Sequence, residues 1–173
     1  EDRCRVLDEI EQYASRRSLR GKTRRAAGSV AEELLMNAMY SAPVDERGRL
    51  LFDDVDPRER IRQPTPRPVR VRYAHADGAL LLLVRDRFGS FRRDHLARYL
   101  LRCATEESPM EDKKRGAGLG LFQVVQSVTR LMIHIVPGQA SEFIAVFDPA
   151  DREASTLRLL SVSTATAPGV PVT

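Results

Sequence analysis

The chain has little of several residue types that build common functional sites. Its 173 residues include no tryptophan, two cysteines and three histidines. Cys4 and Cys103 lie far apart and form no redox or metal motif, so two reduced thiols are expected. The scattered histidines exclude the ligand spacing of a zinc site. No apolar run approaches the roughly 20 residues that span a bilayer, and there is no signal-peptide pattern. These absences predict a cytoplasmic chain without a membrane span.

What is present fits a soluble globular protein, with 42% hydrophobic and 30% charged residues. The length predicts one main domain, and the first residue, Glu1, favours a piece of a longer protein. Arginine supplies most of the excess that gives the net charge of +4, and it clusters in 16–25 and 62–72. A nucleic-acid surface is one interpretation of them. It is the weakest, because neither cluster has the interleaved aromatics of a single-strand platform.

Hydrophobic periodicity predicts the order helix, helix, hairpin, helix, loop, helix, hairpin. This order indicates an α+β fold, a two-layer sandwich with helices on one face of a mixed, mostly antiparallel sheet. The domain is expected over 1–148, with an N-terminal helix in 1–20, and 149–173 is expected to be an extension that is disordered beyond an edge strand. The predicted helices cover 6–20, 22–41, 92–103 and 119–131, and the predicted strands cover 49–52, 69–73, 79–86, 132–136, 142–148 and 156–163.

The stretch "EELLMNAMYSAP" places polar side chains on an otherwise apolar helix. Glu33 and Asn37 are four residues apart and therefore share a face. An exposed polar stripe or a satisfied core amide would explain them without any function. The functional alternative is that the Asn37 carbonyl oxygen binds Mg²⁺, which takes few protein ligands. Glu33 would then orient or deprotonate a nucleophile.

The stretch "LLVRDRFGSF" ends a buried strand with a carboxylate. Asp86 has two alternative roles: it caps the following turn, or it accepts a hydrogen bond from an exocyclic amine such as that of adenine. Gly89 would let the backbone approach a flat ring.

The stretch "KKRGAGLGLFQVV" leads from a glycine-rich loop into a helix. Free backbone N–H groups and the positive end of a helix dipole make such a loop suitable for phosphate. A flexible hinge is the alternative. The spacing matches neither a P-loop nor a dinucleotide-binding fingerprint. The stretch contains Lys113, Lys114, Arg115, Gly116, Gly118, Leu119 and Gly120.

Taken in order, "ELLMNA", "DRFG" and "GAGLGLF" resemble the N, G1 and G2 boxes of the histidine-kinase-like ATPase superfamily. The resemblance covers about 20–148 and is closest in pattern to the anti-sigma-factor serine kinases. It implies the Bergerat ATP-binding fold, with ATP or ADP and Mg²⁺ as cofactors.

The resemblance also implies roles for particular residues. Asn37 matches the Mg²⁺-binding asparagine, Asp86 the adenine-reading aspartate, and Glu33 the general base. Gly89 belongs to the adenine loop, and Leu119 lies between two phosphate-side glycines. The remaining implied positions are the phosphate-side glycines Gly116, Gly118 and Gly120, and the lid cations Lys113, Lys114 and Arg115.

This chain departs from the family pattern in G1. The usual D-x-G-x-G has Phe88 and Ser90 at its glycine positions here, with Gly89 between them. No F-x-P-F box follows, and residues 1–74 contain no histidine to act as a phosphoacceptor.

Two functions follow from these patterns. The first is an ATP·Mg²⁺-binding catalytic domain of bacterial signalling that transfers the γ-phosphate to a partner protein. The alternative is a nucleotide-binding or non-catalytic module that regulates a sigma factor or a receiver domain. The expected partners are a sigma factor, an anti-sigma antagonist or a receiver domain. A homodimer through the apolar stripe of the first helix is a further alternative.

Overall fold

The computed structural model describes residues 2–52, 55, 67–94, 96–97, 119–148 and 159–165. Three helices and five strands are assigned within these ranges. The helices are α1 (Asp2–Arg16), α2 (Gly21–Met36) and α3 (Leu119–Ser127), and the strands are β1 (Arg70–Ala76), β2 (Ala79–Arg85), β3 (Arg130–Val136), β4 (Ala140–Phe147) and β5 (Leu159–Thr164).

The five strands form one mixed sheet in the order β1-β2-β4-β3-β5. All neighbours are antiparallel except β5, which runs parallel to β3 at the sheet edge. The predicted α+β class with a mixed, mostly antiparallel sheet, both hairpins and the C-terminal edge strand are therefore confirmed, and the arrangement is compatible with the predicted sandwich. The extension after residue 148 contributes β5 to the same sheet as the rest of the chain.

One face of the sheet is covered by the helices. Alternate residues of the central strands point to this face, which gives β2 its buried positions at Leu80, Leu82 and Val84. The register places Leu82 beside Ala145 of β4, so the buried rows of neighbouring strands are continuous. The core also takes in Leu131, Ile133, Ile135, Phe143 and Phe147 from β3 and β4, and Leu121, Val124, Val125 and Val128 from α3 and the residue after it.

Helix α2 occupies the centre of the helical layer. Its buried residues Ala27, Val30, Ala31 and Leu34 recur at three- and four-residue spacing, which creates one apolar face. That face contacts β2 and β4, while the flanks of α2 contact α1 and α3. The helix continues into a π-helical turn, Asn37–Ser41, and the buried Pro43 follows.

Helix α1 packs on its own domain. Ile10 and Ala14 are buried, and the Tyr13 ring lies 4.8 Å from the Tyr73 ring of β1. The apolar stripe of α1 is therefore used within the chain. The helix ends at Arg16, earlier than predicted, because Ser18 adopts a left-handed conformation with φ of 54° and turns the chain.

Two further boundaries differ from the sequence-based expectation. Residues 49–52 do not form a strand; Leu50 makes only an isolated bridge with Val44, since the Asp45 carboxylate closes a tight turn by accepting the Arg47 and Arg49 N–H groups. Helix α3 ends at Ser127 instead of continuing to 131.

The end of α3 is fixed by the next strand. The Thr129 N–H and hydroxyl both donate to the Val146 carbonyl at 2.9 Å, which draws the chain into β3 two residues earlier than predicted. Of the helix predicted over 92–103, residues 93–94 and 96–97 are helical, and the part beyond 97 lies outside the described residues. No described helix is long and apolar enough to cross a membrane.

Candidate functional site

Glu33 and Asn37 form a pair at the C-terminal end of α2. Both side chains are half-buried, and the Asn37 Nδ2 donates a hydrogen bond to Glu33 Oε1 at 3.2 Å. The helical spacing that placed them on one face therefore also brings them into contact. Since the Asn37 amide nitrogen faces the carboxylate, its carbonyl oxygen is the atom left for another partner.

Gly120 of α3 lies directly against the Glu33 carboxylate. A Cβ atom at position 120 would overlap the Glu33 Cδ and both carboxylate oxygens. The glycine thus provides the space in which the carboxylate sits. Residues from the first and third sequence motifs, far apart in the chain, meet at this point because α2 and α3 pack side by side.

The position of Glu33 changes its acidity. Burial raises the pKa of the Glu33 carboxyl above its ordinary value of 4.5, the hydrogen bond from Asn37 lowers it by less, and the nearby charge of Glu32 raises it further. The net direction is upward. A carboxylate with a raised pKa holds a proton more strongly, which suits a general base.

Asp86 has the turn-capping role that was one of its two predicted alternatives. It is 3% exposed, and its Oδ1 accepts hydrogen bonds from the N–H groups of Phe88 at 2.7 Å, Gly89 at 3.0 Å and Ser141 at 3.2 Å. Within the described residues, all three hydrogen bonds to this carboxylate go to Oδ1. The carboxylate closes the loop after β2 and links it to β4.

Ser141 places an unpaired hydroxyl beside Asp86. Its backbone carbonyl accepts the Asp86 N–H at 3.0 Å, and the residue is completely buried. Its Oγ has no hydrogen-bond partner among the described residues. Such a buried hydroxyl is costly unless something satisfies it. Sequence reasoning missed Ser141; the available signal was a serine on the inward-facing alternation of an apolar strand.

Gly89 is required by packing against the β3–β4 turn. Its φ is 62°, and a Cβ would collide with the Val136 carbonyl oxygen and lie 2.8 Å from the Gln139 and Ala140 nitrogens. The Gly138 N–H also donates to the Gly89 carbonyl at 3.3 Å. The side of Gly89 on which a side chain would stand therefore packs against the hairpin turn. Its place in an adenine-binding loop stays a prediction.

The two residues that replace the usual G1 glycines have structural contacts. Phe88 is 4% exposed, and the Arg67 guanidinium lies 5.1 Å from its ring centroid. The Ser90 hydroxyl donates to the Ala42 carbonyl at 2.7 Å. The loop after β2 is thereby fastened to the end of the π-helical turn, which connects the Asp86 region with the Asn37 region.

The structure brings together some of the predicted site residues. Glu33, Asn37 and Gly120 form one cluster, and Asp86 and Gly89 lie in the adjoining loop. Leu119 opens α3. Five predicted phosphate-loop and lid residues, Lys113, Lys114, Arg115, Gly116 and Gly118, lie outside the described residues.

A metal held by protein groups alone is not seen in the described part of the chain. No cluster of three or more His, Cys, Asp or Glu side chains that could hold an ion occurs there. In nucleotide complexes Mg²⁺ usually takes one or two protein oxygens and completes its shell with phosphate oxygens and water, so an ion at Asn37 would not need such a cluster.

Comparisons with known proteins do not assign a family. No family model, curated protein or solved structure matches the chain. Its function is therefore inferred from its own residues.

The glycine at position 89 yields a stability prediction. Gly89→Ala should lower the free energy of unfolding by more than about 3 kcal/mol, because it adds backbone collisions to an unfavourable φ. Gly138→Ala is the matched control: its φ is 70° with no atom within 4 Å of the added Cβ, so the loss should be about 1 kcal/mol. Urea unfolding of both variants measures the difference. Equal losses would contradict the packing role of Gly89.

The acidity of Glu33 yields a pH prediction. With a pKa raised above 4.5, the folded state binds the proton more tightly than the unfolded state, so this group contributes a loss of stability as pH rises from 4.5 through the folded-state pKa. Glu33→Gln removes the titration, so its stability relative to the native chain should increase across that window and level off above it.

Chemical denaturation at a series of pH values measures this effect. Glu11→Gln, which removes an exposed carboxylate from α1, is the control. A Glu33→Gln difference independent of pH would show that the Glu33 carboxyl is not perturbed.

Proposed function

We propose that the chain is an ATP·Mg²⁺-binding catalytic domain of the histidine-kinase-like type, with the Bergerat fold, that transfers the γ-phosphate of ATP to a partner protein in bacterial signalling. The observation that carries the proposal is the contact of Glu33 with both Asn37 and Gly120. The resemblance implies a general base at Glu33, a Mg²⁺ ligand at Asn37 and a phosphate-side glycine at Gly120. These three residues meet in one cluster. The two-layer α+β sandwich is compatible with this fold.

The base of the nucleotide would be recognised beside β2 and β4. Adenine presents an exocyclic amine and ring nitrogens, so it needs an acceptor and a donor placed close together. Asp86 supplies a buried carboxylate whose orientation three N–H groups fix. Ser141 supplies a buried hydroxyl with no partner among the described residues. Adenine would satisfy that hydroxyl, which supports a purine base at this position.

The phosphates would lie between α2 and the start of α3. The first N–H groups of a helix have no intrahelical partners, and the positive end of the dipole favours an anion there. Gly120 lies in this first turn of α3. The Asn37 carbonyl oxygen would hold Mg²⁺, which neutralises phosphate charge during transfer.

Glu33 would act as the general base in the transfer. The carboxylate takes the proton of the partner's hydroxyl while the hydroxyl oxygen forms a bond to the γ-phosphorus. The bond from the γ-phosphorus to the β–γ bridging oxygen breaks, and its electron pair leaves with ADP. The raised pKa of Glu33 increases its affinity for that proton.

One observation favours the non-catalytic alternative. Phe88 stands where the family has a glycine and is buried under Arg67, so the adenine loop differs from that of active relatives. A module of this kind would bind its sigma factor, anti-sigma antagonist or receiver domain without transferring phosphate. Tight ATP binding by the native chain with no transfer to any of these partners would support it.

Metal-assisted binding is tested at Asn37. ATP at about 100 times its dissociation constant should stabilise the native chain by about 2.7 kcal/mol, and Mg²⁺ should increase the shift. Asn37→Ala should lose the Mg²⁺-dependent part, because the metal ligand is gone. Thermal-shift titrations with ATP and ADP, with and without Mg²⁺, measure this. Gln12→Ala, which removes an exposed amide from α1, should behave like the native chain. An unchanged Mg²⁺ effect in Asn37→Ala would overturn the metal assignment.

Catalysis is tested at Glu33. Glu33→Gln keeps the shape and the contact with Gly120 but cannot accept a proton, so transfer should fall about 10²- to 10⁴-fold while ATP affinity changes little. Phosphate transfer from radiolabelled ATP to candidate partners gives the rate, and Glu11→Gln, which removes an exposed carboxylate from α1, is the control. Transfer at the native rate would exclude Glu33 as the base.

A further inference from the structure

The corner between α1 and α2 carries a dense group of cations. The group consists of six arginine and lysine side chains, and all of them are exposed. Residues 16–25, which contain them, include no acidic side chain. Among the described residues none of the six pairs with a carboxylate. We call this group the basic corner; it consists of Arg16, Arg17, Arg20, Lys22, Arg24 and Arg25.

One member of the basic corner, Arg24, has a structural contact, since its Nη1 donates to the Ser15 hydroxyl of α1 at 2.9 Å; the stability of α2 does not explain the group as a whole. Acidic side chains at a helix N-terminus are stabilising and cations there are unfavourable. Yet the first turn of α2 has no acidic residue, and its N-cap, Arg20, makes no side-chain capping bond. Lys22 and Arg24 add positive charge to the same end. An arrangement that opposes the helix dipole points to a role outside folding.

A second arginine group lies on β1, the edge strand that α1 contacts. Tyr13 of α1 contacts Tyr73 of β1, and the Arg17 guanidinium lies 5.3 Å from the Tyr13 ring centroid. From the opposite face of β1, Arg70 and Arg72 project into solvent. The tyrosine contact therefore places the α1 side of the basic corner against one face of β1, an edge strand of the sheet, and Arg70 and Arg72 occupy the other face of the same strand.

We propose that the basic corner and the β1 arginines together bind the phosphodiester backbone of nucleic acid. Seven of the eight cations are arginines, whose planar guanidinium binds phosphate through two parallel hydrogen bonds. A row of cations that passes around an edge matches an extended polyanion better than a compact acidic group. The surface is bounded along α1 by the exposed acidic residues Asp8, Glu9 and Glu11.

The bound nucleic acid is recognised through its backbone, without base reading. Tyr13 and Tyr73 are half-buried against each other, so their faces are not a platform for stacked bases. Affinity should then depend little on sequence and strongly on salt. This surface is also separate from the proposed nucleotide site, since Gly21 and Glu33 lie at opposite ends of α2, about 18 Å apart along its axis.

The test uses a double variant that removes charge without weakening the helix. Arg20→Asp with Lys22→Glu places acidic groups at the N-cap and first turn of α2, where they favour the helix. The control, Arg47→Glu with Arg87→Glu, makes the same change in net charge at exposed positions beyond the other end of α2. Melting temperatures of both variants verify folding.

Binding is measured by fluorescence anisotropy with labelled single-stranded DNA, duplex DNA and single-stranded RNA of about 20 nucleotides, from about 50 mM to about 200 mM salt. The native chain should bind all three with a steep salt dependence. The Arg20→Asp, Lys22→Glu variant should bind at least about 10-fold more weakly at low salt, and its log–log salt slope on duplex should fall by about 0.9 for each phosphate that it no longer neutralises. Its melting temperature should be unchanged or higher, and the control should bind like the native chain.

Arg70→Glu with Arg72→Glu tests the second half of the surface and should weaken binding independently. Asn37→Ala should leave binding unchanged, which separates this surface from the nucleotide site. Three results would overturn the proposal: no binding by the native chain at low salt, equal weakening by the control variant, or binding to polyglutamate in preference to nucleic acid. The last result would identify an acidic protein as the partner.

Discussion

The packing of α2 across the middle of the sheet is the interaction on which the other features depend. One row of the helix must stay apolar because it is buried against β2 and β4. Successive residues of a helix are rotated by about 100°, so fixing the buried row also fixes the direction of every other side chain. Glu33 faces α3 as a consequence, with Asn37 bonded to it one turn further along, and a small residue, Gly120, has to stand opposite the Glu33 carboxylate.

The loop after β2 is held to this helix and to the sheet at three points. Asp86 links it to β4 through Ser141, Gly89 rests on the β3–β4 turn, and Ser90 bonds to Ala42 at the end of α2's π-helical turn. The parts of the candidate site are thus mechanically coupled.

Local patterns were sufficient to predict most of the described elements, although the strand expected over 49–52 does not form. Alternation in "VRVRY" and the apolar run in "ALLLLVRD" predicted the first hairpin. Contacts between distant segments were beyond such patterns. The unpaired Ser141 hydroxyl depends on the register of β4 against β2, and the reason for Gly89 is a turn some fifty positions later in the sequence. For the same reason, local patterns do not predict that α1 and its arginines pack beside β1, because this depends on the contact of Tyr13 with Tyr73.

The π-helical turn at Asn37–Ser41 requires a fixed number of residues in this part of the chain. The Asn37 carbonyl accepts the Ala42 N–H, five residues ahead, at 2.8 Å, so the turn holds one residue more than an α-helical turn would. Loss of any single residue here would restore regular helical bonding and rotate Ala42 and Pro43 away from the loop that Ser90 anchors. Insertions and deletions in this short segment should therefore be far rarer in evolution than substitutions at its exposed positions.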